Sequence, residues 1–175
     1  MWIDNQGKPM EEHLLPWYRR FAKAFSREKQ EQLLEHGPWD MEIDLEPGKQ
    51  PPSGHLYPLS HIELEAIWEY IEEILKTGKI RLSKSFTGTL IFFVLKLHDR
   101  GLWIVVDYRR LNAITIKDRY PLPLISKLMD YVGKAWWFTK LDLKNSFNLV
   151  RIASGHEWKM AFKSRYGSYK YMVMP

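Results

Sequence analysis

The stretch FTKLDLKNSFNLVRI, residues 138–152, brings an apolar run to one carboxylate, Asp142, and follows it with a polar turn and the aromatic Phe147. A carboxylate at the end of a buried strand is held by the strand and presented by the turn. Such a position suits Mg2+, which prefers oxygen ligands and takes one or two carboxylates together with substrate phosphates. Phosphoryl transfer often uses two such ions, roughly 3.5–4 Å apart. One carboxylate cannot hold both, so partners must converge on it. Two readings stand side by side: a metal ligand that needs partners, or an acid capping its own turn, a use for which Asp is favoured.

Composition narrows the other chemistry. The chain has no cysteine, which excludes disulfides and thiolate metal sites and fits a reducing, intracellular setting. Its six histidines show no zinc-ligand spacing. No apolar run reaches roughly 18 residues, so no membrane span or membrane partner is expected. The first residues, MWIDNQGKPMEEHLLP, lack the basic start and apolar centre of a secretory signal. The net charge of +5 hides a division: residues 1–75 carry a net −8 and residues 76–175 a net +13. A second half this basic is either a footprint for a polyanion or a solvated face balanced by the acidic first half.

The elements that must position Asp142 follow from periodicity. Residues 11–36 predict a helix with a stripe of Leu14, Leu15, Tyr18, Phe21, Ala22 and Phe25. Met41, Ile43 and Leu45 alternate with acids and predict a short strand, after which Pro47–Gly54 reads as an extended linker. Ser60 and Glu63 have capping-box spacing and open a second helix that Gly78 ends. KIRLSKS predicts a strand and turn. TLIFFVLKL and LWIVVDY predict a hairpin closed by HDRG. Residues 109–123 read as an irregular crossing, Leu124–Val132 as a short helix, and AWWFTKLDL as a buried strand ending at Asp142. A short helix at SFNLVRI and strands at WKMAFKS and YKYMVMP complete an α+β pattern. The last strand, at the chain end, is expected to be an open apolar edge, which invites pairing with another polymer chain.

Five stretches in series carry a resemblance: PWDMEIDLEPGKQPPSGHLYPLS, LEAIWEYIEEILKTGKIRLSKS, VVDYRRLNAITIKDRYPLP, WFTKLDLKNSF and EWKMAFKSRYGSYKYMVMP. Together, over residues 20–175, the chain resembles the reverse transcriptase region of gypsy-class long-terminal-repeat retrotransposon Pol polyproteins. The resemblance implies a polymerase palm-and-fingers fold, cut short within the palm. It implies a helical segment and linker over 1–54 that precede the polymerase, and fingers with partial palm over 55–175. It implies RNA-directed DNA synthesis: Mg2+-dependent transfer of a deoxynucleotide from its triphosphate to a primer 3′-hydroxyl on an RNA or DNA template.

The resemblance also assigns residues. Asp142 and the Leu143 carbonyl would bind Mg2+. Phe147 would be an aromatic gate under the sugar, the alternative being a core aromatic. The backbone N–H groups of Asn145 and Ser146 would cradle the triphosphate, and Lys96 would meet its outer phosphates unless it is only a charged edge guard. Phe92 and Arg109 would lie along the template. For Phe92 the alternative is a buried hairpin residue, and for Arg109 a salt bridge with Asp107 or Asp118.

Departures from the family pattern bear on activity. Leu95 and Leu97 replace two lysines of the family's hairpin, His98 is an insertion in its turn, and Ser146 stands for a Gly. Trp103 stands where the family has a triphosphate-binding Arg, and the absence of such a charged partner costs about 2–4 kcal/mol in the reacting state by analogy. The family's Tyr-x-Asp-Asp hairpin, with two further carboxylates, is not among the 175 residues. Asp107, Asp118 and Asp130 fall in no matching motif. The expectation is a fragment of a polymerase that does not polymerise alone; the alternative is a non-catalytic remnant that binds nucleic acid or pairs with a polymerase chain.

Overall fold

The computed structural model describes residues 16–25, 31–54, 57–95, 102–140 and 146–175. Helix α1, His61–Thr77, is the best-defined element from sequence to structure. The Ser60 hydroxyl accepts from the Glu63 N–H at 3.4 Å, and the Glu63 carboxylate accepts from the Ser60 N–H at 2.8 Å. Two of the four orphan donors at the helix start are satisfied in this way. At the other end Gly78 takes φ 73°, a left-handed geometry open to glycine without a Cβ penalty. Its N–H returns to the Leu75 carbonyl at 3.0 Å. Ile67 and Ile71, one helical turn apart, bury the inner face, whereas Ile62 and Leu75 are exposed.

Five strands form one sheet in the order β1-β5-β4-β2-β3: β1 Ile80–Leu82, β2 Thr89–Leu95, β3 Leu102–Val106, β4 Ala161–Ser164 and β5 Gly167–Tyr171. Only the β2–β4 pairing is parallel. The predicted hairpin is β2–β3, with Phe92 opposite Val105 and Val94 opposite Trp103. The core lies between α1 and one face of this sheet. It holds Ile67, Ile71, Ile80, Ile91, Phe162, Tyr169 and Tyr171. Phe162 is fully buried and packs against the rings of Tyr169 and Tyr171 at 5.7 and 5.0 Å.

Residues 41–54 are part of this body. Ile43 enters the core, while Met41 and Leu45 make single bridges to Ile152 and Thr115 in place of the predicted strand. The Pro/Gly stretch is a strap: Gly54 N–H donates to Gly88 O at 3.1 Å, and Gly88 N–H to Pro52 O at 3.2 Å. A Cβ on Gly54 would stand 2.8 Å from Leu90 Cγ, so the close approach needs the glycine.

Four further expectations are corrected. Pro16–Phe25 is a 3-10 helix, and the remainder of the predicted helix 11–36 lies partly outside the described residues. Arg109–Ile114 forms a helix, α2, where the sequence predicts an irregular crossing. Residues 135–140 of the predicted buried strand have no strand partner among the described residues and stand in solvent, Trp136 and Trp137 at 92% and 94% exposure. A strand holds only by pairing and packing, and neither β1 nor β3, the sheet's two edges, receives this segment. Finally, β5 is no open edge. It pairs with β1 on one side and β4 on the other, and Val173 beyond it bridges Arg151. Helix α3, Ile125–Val132, lies where a helix is predicted. Among the described residues no helix is long and apolar enough to cross a membrane.

Candidate functional site

The turn that follows the candidate carboxylate is a 3-10 turn, Ser146–Leu149, closed by Val150 N–H on Phe147 O at 3.0 Å. Ser146 is half-buried. Phe147 is 62% exposed, so its ring is not a core aromatic. Asp142, Leu143 and Asn145, and Lys96 of the fingers hairpin, lie outside the described residues.

The turn is anchored from behind by the segment that leaves it. Ile152 is fully buried; its N–H donates to Met172 O at 3.0 Å, and Met174 N–H donates to Val150 O at 2.8 Å. Arg151, 7% exposed, ties this segment to the residues before Met41. Its guanidinium donates to the Leu34 carbonyl and lies 2.7 Å from His36 Nε2. Arginine nitrogens only donate. His36 Nε2 is therefore the acceptor, which leaves Nδ1 to donate to the Asp40 carboxylate. Arg151 Nε is buried without a partner among the described residues. Sequence reasoning missed this hub; the signal was a lone Arg between the apolar Val150 and Ile152.

The two template candidates sit on the β2–β3 hairpin and just after it. Phe92 is half-buried and has the opposite strand parity to the core residues Ile91 and Phe93, so it is not the buried hairpin residue of the alternative reading. Arg109 opens α2. Its guanidinium forms a bidentate pair with Asp107, Nε to Oδ1 at 2.8 Å and Nη2 to Oδ2 at 2.7 Å, while remaining 85% exposed. The salt-bridge alternative therefore holds in this conformation. The pair is fixed to the sheet, because Asp107 N–H donates to Leu90 O at 2.9 Å and Thr89 Oγ1 donates to Asp107 O at 2.8 Å.

Among the described residues the donors make no complete metal centre: no three His, Asp or Glu side chains converge to hold a cation. Asp107 is engaged by Arg109, and Asp118 accepts from Tyr120 N–H at 2.9 Å. Asp130 lies on the exposed α3. A single carboxylate at 142 with one carbonyl at 143 falls short of what two Mg2+ ions require, so no reaction step is assigned to metal within these residues.

No family profile matches the chain. It is 40% identical over 119 residues to the Transposon Tf2-3, Tf2-4 and Tf2-5 polyproteins of Schizosaccharomyces pombe. The match covers 68% of this chain and 9% of each polyprotein. The chain is thus similar to one segment of a retrotransposon polyprotein and spans less than a tenth of the length of these relatives.

Proposed function

We propose that these 175 residues are the fingers and the first part of the palm of a reverse transcriptase, and that alone they bind primer–template without extending it. The observation that carries the reading is the match of 119 residues at 40% identity to transposon polyproteins. The five motif stretches, which resemble the reverse transcriptase region in its own order, support that region over others of a polyprotein. The exposed Phe147 ring supports the assignment, because a gate that lies under a sugar must present its face to the site. Arg109 at the hairpin base supports it as well, since its guanidinium is solvent-exposed and within reach of a phosphate once it exchanges the Asp107 carboxylate for it.

In this reading the chain's own residues bind and orient. Phe92 and Arg109 hold the template, Lys96 and the 145–146 backbone meet the triphosphate, and Phe147 excludes a 2′-hydroxyl. Asp142 with Leu143 contributes one part of the Mg2+ site, and the remaining two carboxylates are not among these residues.

The test is primer extension and primer–template binding with the same preparation. Extension on an RNA template with Mg2+ and deoxynucleotides is expected to be absent. Binding is expected and should weaken steeply with salt. Metal-dependent extension that Asp142→Asn abolishes would overturn the non-polymerising part of the proposal. Absent or salt-independent binding would overturn the rest.

A further inference from the structure

Residues 34–45 are fastened to the body by two histidine rings, and both rings act as acceptors. His36 Nε2 accepts from the Arg151 guanidinium at 2.7 Å, because arginine nitrogens only donate, while its Nδ1 donates to Asp40. Nine ångströms' worth of chain is not needed to reach the second ring: the Ile43 N–H donates to His156 Nδ1 at 2.7 Å. A backbone N–H only donates, so this ring nitrogen carries no proton either. The two contacts bracket Met41, whose N–H donates to Arg151 O at 2.7 Å and whose carbonyl accepts from Ala153 N–H at 2.9 Å.

Donors face each acceptor. At His36 the facing cation is Arg151, which is buried and also bound to the Leu34 carbonyl, and the facing anion is Asp40. Burial raises the Asp40 carboxyl, but the bonds from His36 and Gly37 and the charges of His36 and Arg151 outweigh it and hold the group below its ordinary value. Ser154 Oγ lies 3.3 Å from His36 Nε2, yet the guanidinium already fills that lone pair, so His36 is a fastener here and no base for the hydroxyl. At His156 the facing cation is Lys159, whose ammonium lies 3.4 Å from Nδ1 and donates to the Ile43 carbonyl. Of the acids adjacent in sequence, Glu157 is turned to the Gly155 N–H at 2.9 Å, and Glu42 and Asp44, on either side of Ile43, are exposed. A proton on either acceptor nitrogen sets donor against donor: His36 Nε2–H against the guanidinium, and His156 Nδ1–H against the Lys159 ammonium and the N–H of Ile43, a core residue.

We propose that His36 and His156 form an acid-sensitive clasp between residues 34–45 and residues 151–159, closed while both rings are neutral and opened when they take up protons. Imidazole is the side chain suited to such a change in mild acid. Arg151 and Ile152 lie just behind the turn that presents Phe147, so opening loosens the support of that turn. Helix α1 and the sheet are held by their own packing and stay folded. The clasp stands on these contacts alone and does not depend on the reverse transcriptase reading.

The test is amide hydrogen exchange of the whole chain by NMR at about pH 7.5 and about pH 5.5, each rate being compared with its intrinsic value so that only structural opening is read. A proton that only the open form takes raises the open population about tenfold for each pH unit below the ordinary imidazole value of about 6.5. Protection of the Met41, Ile43 and Ala153 amides is therefore expected to fall about tenfold or more between the two conditions, while amides of α1, β4 and β5 keep theirs. His36→Gln keeps an acceptor near the Nε2 position, His156→Asn keeps one near the Nδ1 position, and neither amide titrates. The double variant is expected to show the same protection in both conditions. His61→Gln, which alters an exposed ring at the start of α1, should keep the parent's acid response. The clasp is overturned if the three amides of the parent are equally protected in both conditions, if the double variant loses as much protection as the parent, or if α1 and the sheet lose it equally. Imidazole NMR of the parent gives a reading that needs no variant. His36 and His156 should titrate over the pH interval in which protection is lost, and a loss that neither ring follows overturns the clasp even where the double variant does not fold.

Discussion

Arg109 grips Asp107 through two parallel hydrogen bonds of 2.8 and 2.7 Å, and its backbone N–H adds a third at 3.1 Å to the same carboxylate. The side-chain hydrogen bond, then the backbone one, then the charges of Arg109 and Arg110 hold the Asp107 carboxyl down at about 2, against a smaller upward push from desolvation. Its folded value is below the ordinary aspartate value of about 3.9. The ionised pair therefore favours the folded state above that value, and this contribution is lost as pH falls through about 2. Both side chains meet solvent, so the contribution is small. Carboxyl-carbon NMR is expected to show Asp107 titrating near 2 in the parent chain. In Arg109→Gln the midpoint should move up toward the ordinary value; an unmoved midpoint would mean that the pair does not exist in solution.

The same pair sets a binding prediction. Arg109 cannot clamp a phosphate and Asp107 with the same two donors. Asp107→Asn removes the competing carboxylate and should tighten primer–template duplex binding several-fold at low salt. Arg109→Gln in the Asp107→Asn background should abolish that gain. A gain that survives loss of Arg109 would show that only net charge had changed.

The ends of α1 make a stability prediction that does not depend on function. Ser60→Ala removes the hydroxyl that accepts from Glu63 N–H, and the expected loss is about 1 kcal/mol. Gly78→Ala places a Cβ at φ 73°, which costs roughly 1–2 kcal/mol. Neither residue lies in the sheet or the Ser146–Leu149 turn, so urea unfolding midpoints should fall while salt-dependent binding stays the same.

Which features were legible depends on how local their causes are. The capping box and the left-handed Gly78 need only neighbours a few residues away, and both were readable from SHIE and from Gly78 after the last apolar position. The β2–β3 hairpin was readable because its β-branched and aromatic runs are themselves the signal. AWWFTK misled for the same reason. Its residues have the composition of a strand, but strand formation is decided by neighbours, and Trp136 and Trp137 have none among the described residues. The interior place of β5 was unreadable because β1, nearly ninety residues earlier, supplies its second neighbour. At the site, residue types pointed to Asp142 and its turn and offered Asp107 and Asp118 as partners for Arg109, yet the choice of Asp107 came only with the folded geometry of the hairpin base.

The hydroxyls of Tyr70 on α1 and Tyr171 on β5 lie 2.6 Å apart and join the helix to the sheet. Burial pushes both phenols up, Tyr171 well above its ordinary value, so both are neutral near neutral pH and the interaction there is a neutral hydrogen bond. Removing one hydroxyl leaves its partner desolvated and unsatisfied, which costs about 1–3 kcal/mol, whereas removing both removes that penalty as well. Tyr70→Phe and Tyr171→Phe should each lower stability by about that much. The double substitution should cost clearly less than the two losses added together, giving a coupling of about 1 kcal/mol or more in a double-mutant cycle of urea unfolding. Strict additivity would mean that each hydroxyl is satisfied independently and that the helix is held to the sheet by apolar packing of Ile67 and Ile71 alone.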